Sequence, residues 1–251
     1  MQPNTAPDSL VRLTSPTFED LAERAGRRYR SSGITAWRFA RGKLLHDPLY
    51  RAVWEQRLVN QEGTVLDVGC GQGLMLALLA EDASTRPAVS APDGLLPQSP
   101  AKRFLVGVET RARIAHIARD ALGGDATIHA ADVRGLSLPP SRTILIFDVL
   151  HMMPEADQEQ LLRALTASLE TTGTLLIREA DASAGWRFTC VKFGNRFKGI
   201  VNGYSTQAFH FRTGAEWIAL LEKLGLSANA QPMGKGTPFG NVLLTAVKRL
   251  Q

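Results

Sequence analysis

A doubly wound α/β fold, built on a mostly parallel sheet of seven strands, is what the order of apolar runs predicts for this chain. Two observations carry that prediction. Short apolar strands alternate with helical segments over about 190 residues, the pattern of repeated strand–helix–strand units. The first strand, Val65–Val68, runs straight into the turn Gly69-Cys70-Gly71-Gln72-Gly73, and a helical run from Leu74 to Glu81 follows at once.

That turn is the most informative stretch. Alternating glycines permit positive φ and let a ligand approach bare backbone, and the helix behind them presents unpaired N–H groups. The stretch therefore reads as a nucleotide-type cofactor site. Its pattern is Asp-x-Gly-x-Gly-x-Gly, with Asp67 at the strand end. It is neither the Gly-x-Gly-x-x-Gly of dinucleotide binders nor a P-loop, which needs a following Gly-Lys-Ser/Thr. A carboxylate at that point repels a pyrophosphate and suits a cationic amino group and a sulfonium.

The remaining elements follow in order. Lys102–Val108 is a second apolar strand bounded by polar residues. It ends in Glu109 and leads to a helix over Arg111–Leu122. A carboxylate ending the second strand can accept from both hydroxyls of a ribose; the alternative is an acid that simply favours the helix N-terminus. Ala126–Ala131 is a third, short strand that delivers Asp132 and Val133. Thr143–Phe147 is nearly all apolar and β-branched, as a central parallel strand covered on both faces should be. It runs into Asp148-Val149-Leu150-His151-Met152-Met153-Pro154, then a helix over Glu155–Leu169 that Gly173 is expected to stop. Leu175–Ile177 is the fifth strand, followed by Arg178-Glu179-Ala180-Asp181, with Arg178 expected to pair with Glu179 or Asp181. Thr213–Leu224 is an amphipathic helix with Thr213 as N-cap. Strands near Ser227–Gln231 and Asn241–Lys248 complete the sheet.

Composition bounds the class. With 251 residues and 44% hydrophobic content, the chain can bury a substantial core as one large domain. No apolar run approaches the ~18 residues of a membrane span, and MQPNTAPDSL lacks a basic-then-apolar signal pattern, so the cytoplasm is the expected location. Cys70 and Cys190 have no metal or disulfide spacing, and no metal is expected. The net charge of +5 is unevenly spread: residues 24–57 hold nine Lys/Arg against two acids, and residues 187–212 hold five and none. Either these are solvated helix faces, or they form a positive rim for an acidic substrate or carrier.

Organisation along the chain follows. Residues 1–16 are expected to be disordered. Residues 17–60 form a helical cap across the mouth of the site, interrupted at Ser31-Ser32-Gly33 and His46-Asp47-Pro48. Residues 61–251 form the main domain, with a four-proline insertion at 83–101 and a substrate lid at 182–212.

From the first motif onward the chain resembles the class I S-adenosylmethionine-dependent methyltransferases, over roughly residues 60–250. The resemblance implies a Rossmann-like sheet whose last strand is reversed, and S-adenosyl-L-methionine as cofactor. It implies cofactor contacts from Asp67, Gly69, Cys70, Gly71, Gly73, Glu109, Asp132, Val133 and Asp148. Asp132 would accept the adenine amine, Val133 would pack on the ring, and Asp148 would orient the methionine end or start a helix. His151 stands where plant-type small-molecule O-methyltransferases carry their catalytic base, although Met152, Met153 and Pro154 replace the Trp and acids of that motif; packing under the cofactor is the other reading. Arg41, Met152, Trp186 and Asn195 are expected at the substrate.

Phe39-Ala40-Arg41-Gly42-Lys43-Leu44 followed by Asp47-Pro48, together with Asp148-Val149-Leu150-His151-Met152-Met153-Pro154, resembles a bacterial small-molecule group associated with pathways whose intermediates ride on acyl carriers, which would suit a basic rim, so the expected partner is a small molecule, free or on an acidic acyl carrier protein. Asp148-Val149-Leu150-His151 replaces the Asn/Asp-Pro-Pro-aromatic motif of base-amine methylating enzymes, which argues against a nucleic-acid substrate. An RNA or protein methyltransferase and a non-catalytic cofactor-binding protein stay open as alternatives.

Overall fold

The computed structural model describes residues 16–85, 102–185, 208–234 and 240–249. Seven strands form one sheet: β1 (Gly63–Val68), β2 (Arg103–Glu109), β3 (Ala126–Ala130), β4 (Ser141–Phe147), β5 (Leu169–Ala180), β6 (Leu226–Pro232) and β7 (Asn241–Lys248). Their spatial order is β3-β2-β1-β4-β5-β7-β6, parallel throughout except for β7, which is antiparallel to both of its neighbours. The order reverses between β1 and β4, and in such open sheets ligands sit beyond the strand ends at that switch point.

Strand periodicity splits the core into two layers. Val65, Leu105, Leu145, Leu176 and Leu243 point to one face, packed under α1 (Phe18–Arg27), α2 (Ile34–His46), α3 (Pro48–Glu55), α4 (Leu74–Ser84) and α5 (Ala112–Leu122). Leu66, Ile144, Ile146, Leu175, Ile177 and Leu244 point to the other, under α6 (Glu155–Ser168) and α7 (Gly214–Lys223). Connections between parallel strands of one sheet cross over through such helices and are right-handed almost without exception.

Local chemistry sets the helix starts. Thr17 and Asp20 make a capping box for α1, and Thr213 with Glu216 makes one for α7. Asp47 caps α3 by accepting from the Leu49 N–H at 3.1 Å, with Pro48 at the first helical position. The N-terminal helices fall where the two predicted interruptions put them.

Two expectations need correction. The helix after β4 ends at Ser168, not Leu169, and Gly173 lies inside β5. Leu169 is already extended, and it pairs with Ser141 to start a longer strand with an irregular register between Ser141 and Thr143. A Cβ at Gly173 would stand 2.8 Å from the Glu170 carbonyl oxygen, so the glycine serves that irregular strand rather than a helix stop. Helix α4 also runs to Ser84, into the proposed insertion, and residues 86–101 lie outside the described residues. So do residues 1–15 and most of the proposed lid. Among the described residues no helix is long and apolar enough to cross a membrane.

Candidate active site

The carboxyl ends of β1, β2, β4 and β5 deliver a set of polar groups to one edge of the sheet. After β1, Gly69, Gly71 and Gly73 all have positive φ, at 72°, 58° and 75°. The reasons differ. A Cβ on Gly69 would lie 2.3 Å from Val149 Cγ2, so the turn after β1 and the turn after β4 touch there. A Cβ on Gly71 would meet nothing within 4 Å, which leaves its backbone open to an approaching molecule. Gly73 caps α4 in left-handed conformation.

Glu109, 4% exposed, ties β2 to this turn. Its Oε2 accepts from the Gly71 N–H at 3.1 Å, and Arg111 donates to it from its backbone N–H, Nε and Nη2 at 2.9–3.1 Å. Burial alone would raise the Glu109 pKa, but the Arg111 and Gly71 hydrogen bonds hold it below the ordinary value. Asp67 has no such support. It is 3% exposed, accepts no hydrogen bond among the described residues, and is pushed up to about 7, first by burial and then by the Glu109 charge. Cys70 turns its thiol inward toward Gly107, where a Cβ would come within 2.8 Å of the sulfur. Burial suppresses its acidity further. Asp132 is exposed; it caps the short turn Val133–Gly135 and is held by Arg134, while Val133 is buried.

Beyond β4 and β5 the acids are interlocked. Asp148 has φ 58°, rare for a residue with a side chain. Arg178, 4% exposed, binds it through Nε at 2.9 Å and through Nη2, and donates from Nη1 to both Asp47 oxygens at 2.7 Å. The expected pairing of Arg178 with Glu179 or Asp181 is therefore wrong: successive residues of a strand point to opposite faces. Glu179 instead holds the turn after β4. Its Oε1 accepts from the N–H groups of Val149 and Leu150 at 3.0 and 2.6 Å, and its Oε2 lies 2.6 Å from His151 Nδ1. Both residues are buried. Phe211 stacks on the imidazole at 5.2 Å, and Phe209 stands 5.8 Å away. The segment bearing these rings is fastened by the His210 N–H to the His151 carbonyl at 2.9 Å and by Gln158 Nε2 to the His210 carbonyl at 2.9 Å.

Of the residues expected at a substrate, Met152 is beside His151 and 44% exposed. Arg41 sits on α2 in an ion pair with Glu23 on the outside of α1. Trp186 and Asn195 lie outside the described residues. The sequence reading missed the His151–Glu179 pair, the reach of Asp47 across to Arg178, and Gly107. Only Gly107 had a local signal, as a glycine inside a strand marks close approach of another group.

A seven-stranded sheet in this order with one reversed strand, and a glycine turn and carboxylates at its switch point, defines a class I methyltransferase fold. A family model described as a methyltransferase domain matches residues 36–231, and the chain belongs to that family. No curated protein matches the sequence.

Solved structures agree on the fold. The pyocyanin biosynthetic protein PhzM is 15% identical with TM-score 0.59, over 90% of this chain and 62% of its own. An O-methyltransferase family protein from Burkholderia thailandensis is 16% identical with TM-score 0.60, over 87% and 61%. This chain thus spans less than two thirds of each. The 1,6-didemethyltoxoflavin N1-methyltransferase of the same organism is 14% identical with TM-score 0.58, over 91% of both chains.

Proposed function

We propose that the protein transfers a methyl group from S-adenosyl-L-methionine to a hydroxyl oxygen of a small molecule. The observation that carries the oxygen assignment is the 2.6 Å contact between His151 Nδ1 and Glu179 Oε2 beside the turn after β4. When bound, the cofactor would supply an electrophilic methyl on a positively charged sulfur. The residues fit such a group: Gly71 leaves open space, and Asp67 is a buried acid without a protein partner among the described residues. In this reading Glu109 takes the ribose hydroxyls, Asp132 and Val133 the adenine, and Asp67 the cationic amino-acid end. Gly69, Cys70, Gly71 and Gly73 line the turn with backbone, and Asp148 shapes the methionine side.

In this reading Glu179 orients the imidazole through Nδ1. His151 takes the acceptor hydroxyl proton as the new oxygen–carbon bond forms and the sulfur–carbon bond breaks. The Glu179 carboxylate compensates the charge that develops on the ring. Phe211 stacks on the imidazole and Phe209 stands beside it, an apolar setting that suits exclusion of water. Arg41 and the unplaced Trp186 and Asn195 are carried as further acceptor contacts.

An acceptor bound to an acidic carrier protein is the finer form of this reading, resting on the basic stretch of residues 24–57. Among the described residues, five of its nine cations are in ion pairs: Arg24, Arg28, Arg41, Lys43 and Arg51. The reading is tested in two steps. Calorimetric titration with S-adenosylhomocysteine comes first, and absence of binding ends the proposal. Release of that product is then followed across phenols, carboxylic acids, amines and carrier-bound acyl groups. Turnover with amines alone would remove the oxygen assignment.

A further inference from the structure

Gln158, near the start of α6, is fully buried, an unusual place for a glutamine side chain. It has no part in the reaction proposed above. Its carboxamide offers two N–H donors and one carbonyl oxygen, and both ends are engaged. Nε2 donates to the carbonyls of Leu150, Met153 and His210 at 3.1, 3.2 and 2.9 Å. Oε1 accepts from Arg212 Nε at 2.9 Å.

The order of these contacts along the chain is informative. On the turn after β4, the two bonded carbonyls flank His151 and Met152. On the segment that returns over that turn, the two bonded residues flank Phe211. Phe211 is the ring that lies flat on the imidazole, at 5.2 Å and 9° between planes. One side chain thus grips the backbone on both sides of the stacked residue and of the residue stacked upon it.

Each segment has other anchors. Glu179 holds the turn through the Val149 and Leu150 N–H groups. Arg212 is kept by Glu155 and Glu159 at 3.2 and 3.3 Å and lies over the Trp217 ring, and its carbonyl accepts from the Ala182 N–H at 3.2 Å. The 2.9 Å bond from the His210 N–H to the His151 carbonyl joins turn and segment as a pivot. What Gln158 adds is the register on either side of that pivot. Register matters because a misplacement of about 1 Å can cost a reaction about a hundredfold in rate.

We infer that Gln158 is a positioning residue for methyl transfer: it sets residues 209–212 against the turn after β4, so that Phe211 lies flat on His151 and the imidazole keeps one orientation. This rests on the role of His151 proposed above.

The test uses Gln158→Met, which keeps an unbranched side chain and removes every one of these bonds. The full chain, labelled at histidine, is followed by NMR, with the His151 ring protons assigned through His151→Ala. In Gln158→Met these resonances are expected to move toward their positions in Phe211→Leu, where the ring current is gone, while the other histidines stay in place. With the acceptor that wild type methylates fastest in the series above, kcat should fall at least about tenfold, with KM and the S-adenosylhomocysteine Kd within about twofold. A lower melting temperature with His151 resonances and kcat unchanged overturns the inference, as does an equal loss of kcat and cofactor affinity. Should Gln158→Met fail to fold, Gln158→Glu is measured by the same criteria, since it keeps an acceptor for Arg212 and loses the donors. Wild type that binds S-adenosylhomocysteine but methylates no hydroxyl acceptor removes the proposed role of His151, and the register then stands or falls on the ring resonances alone.

Discussion

Two aspartates end neighbouring strands in opposite surroundings. Asp67, at the end of β1, is buried without a hydrogen-bond partner among the described residues and is pushed up to about 7 by burial and by Glu109. Asp148, just past β4, is held below the ordinary value, because Arg178 and Lys43 outweigh the burial that would raise it. The same contrast extends along the cleft. On the β4–β5 side each acid is already neutralised or bonded inside the protein, Asp47 and Asp148 by Arg178 and Glu179 by His151 and backbone N–H groups. That side is a frame that fixes His151. On the β1 side one buried acid is left without a hydrogen-bond partner among the described residues, which is what the proposed cofactor contact would use.

The largest expected effect breaks the frame. Arg178→Met leaves Asp47 and Asp148 facing each other without their cation and should cost about 3–5 kcal/mol at neutral pH, read from urea unfolding. The Asp148 pKa is depressed in the folded protein. Its stabilisation is therefore present above the unfolded value and lost as pH falls through the folded one, so wild type and variant converge in acid. Unchanged stability at pH 7 would put both sides on the same footing.

His151→Ala and Glu179→Gln come next. Each should lower turnover by at least about tenfold while S-adenosylhomocysteine affinity stays near wild type. A matching loss of affinity would merge the two sides into one unit. Gly69→Ala probes where they meet: positive φ and the 2.3 Å approach to Val149 should destabilise by about 1–3 kcal/mol, and adding Val149→Ala should recover part of it.

The smallest effect is at Asp67. Its pKa is raised in the folded state, so its contribution to stability is full below the unfolded value and lost as pH rises through about 7. Asp67→Asn should therefore melt several degrees higher than wild type in the absence of ligand above pH 7, and gain less from added S-adenosylhomocysteine. A lower melting point would contradict the contrast drawn here.

The sheet and the glycine turn were legible because their signals are short-range. Apolar runs mark strands, and Asp67 and the three glycines lie within seven residues of one another. The β4–β5 side was only half legible. His151 could be picked out by its place after a strand, but its partner Glu179 is 28 residues away and Arg178 reaches Asp47 across 131. Nothing local distinguishes Asp47 as an ion-pair member from an ordinary helix cap, which it also is. Arg178 misled for a related reason: nearness in sequence suggested Glu179, while strand alternation sent the two side chains apart. The misplaced end of α6 has the same origin, since Gly173 serves strand geometry as readily as it ends a helix.

One feature of the cleft bears on how long the chain survives in a cell. Asp67 and Glu109 are both buried carboxylates, and the Glu109 charge adds to burial in pushing the Asp67 pKa up to about 7, so ionising Asp67 costs the fold stability. Any cationic nucleoside that settles there lowers the population of opened molecules on which proteases act, in proportion to its concentration over its dissociation constant. Abundance of the protein would then track the supply of its own methyl donor, with no separate regulator required.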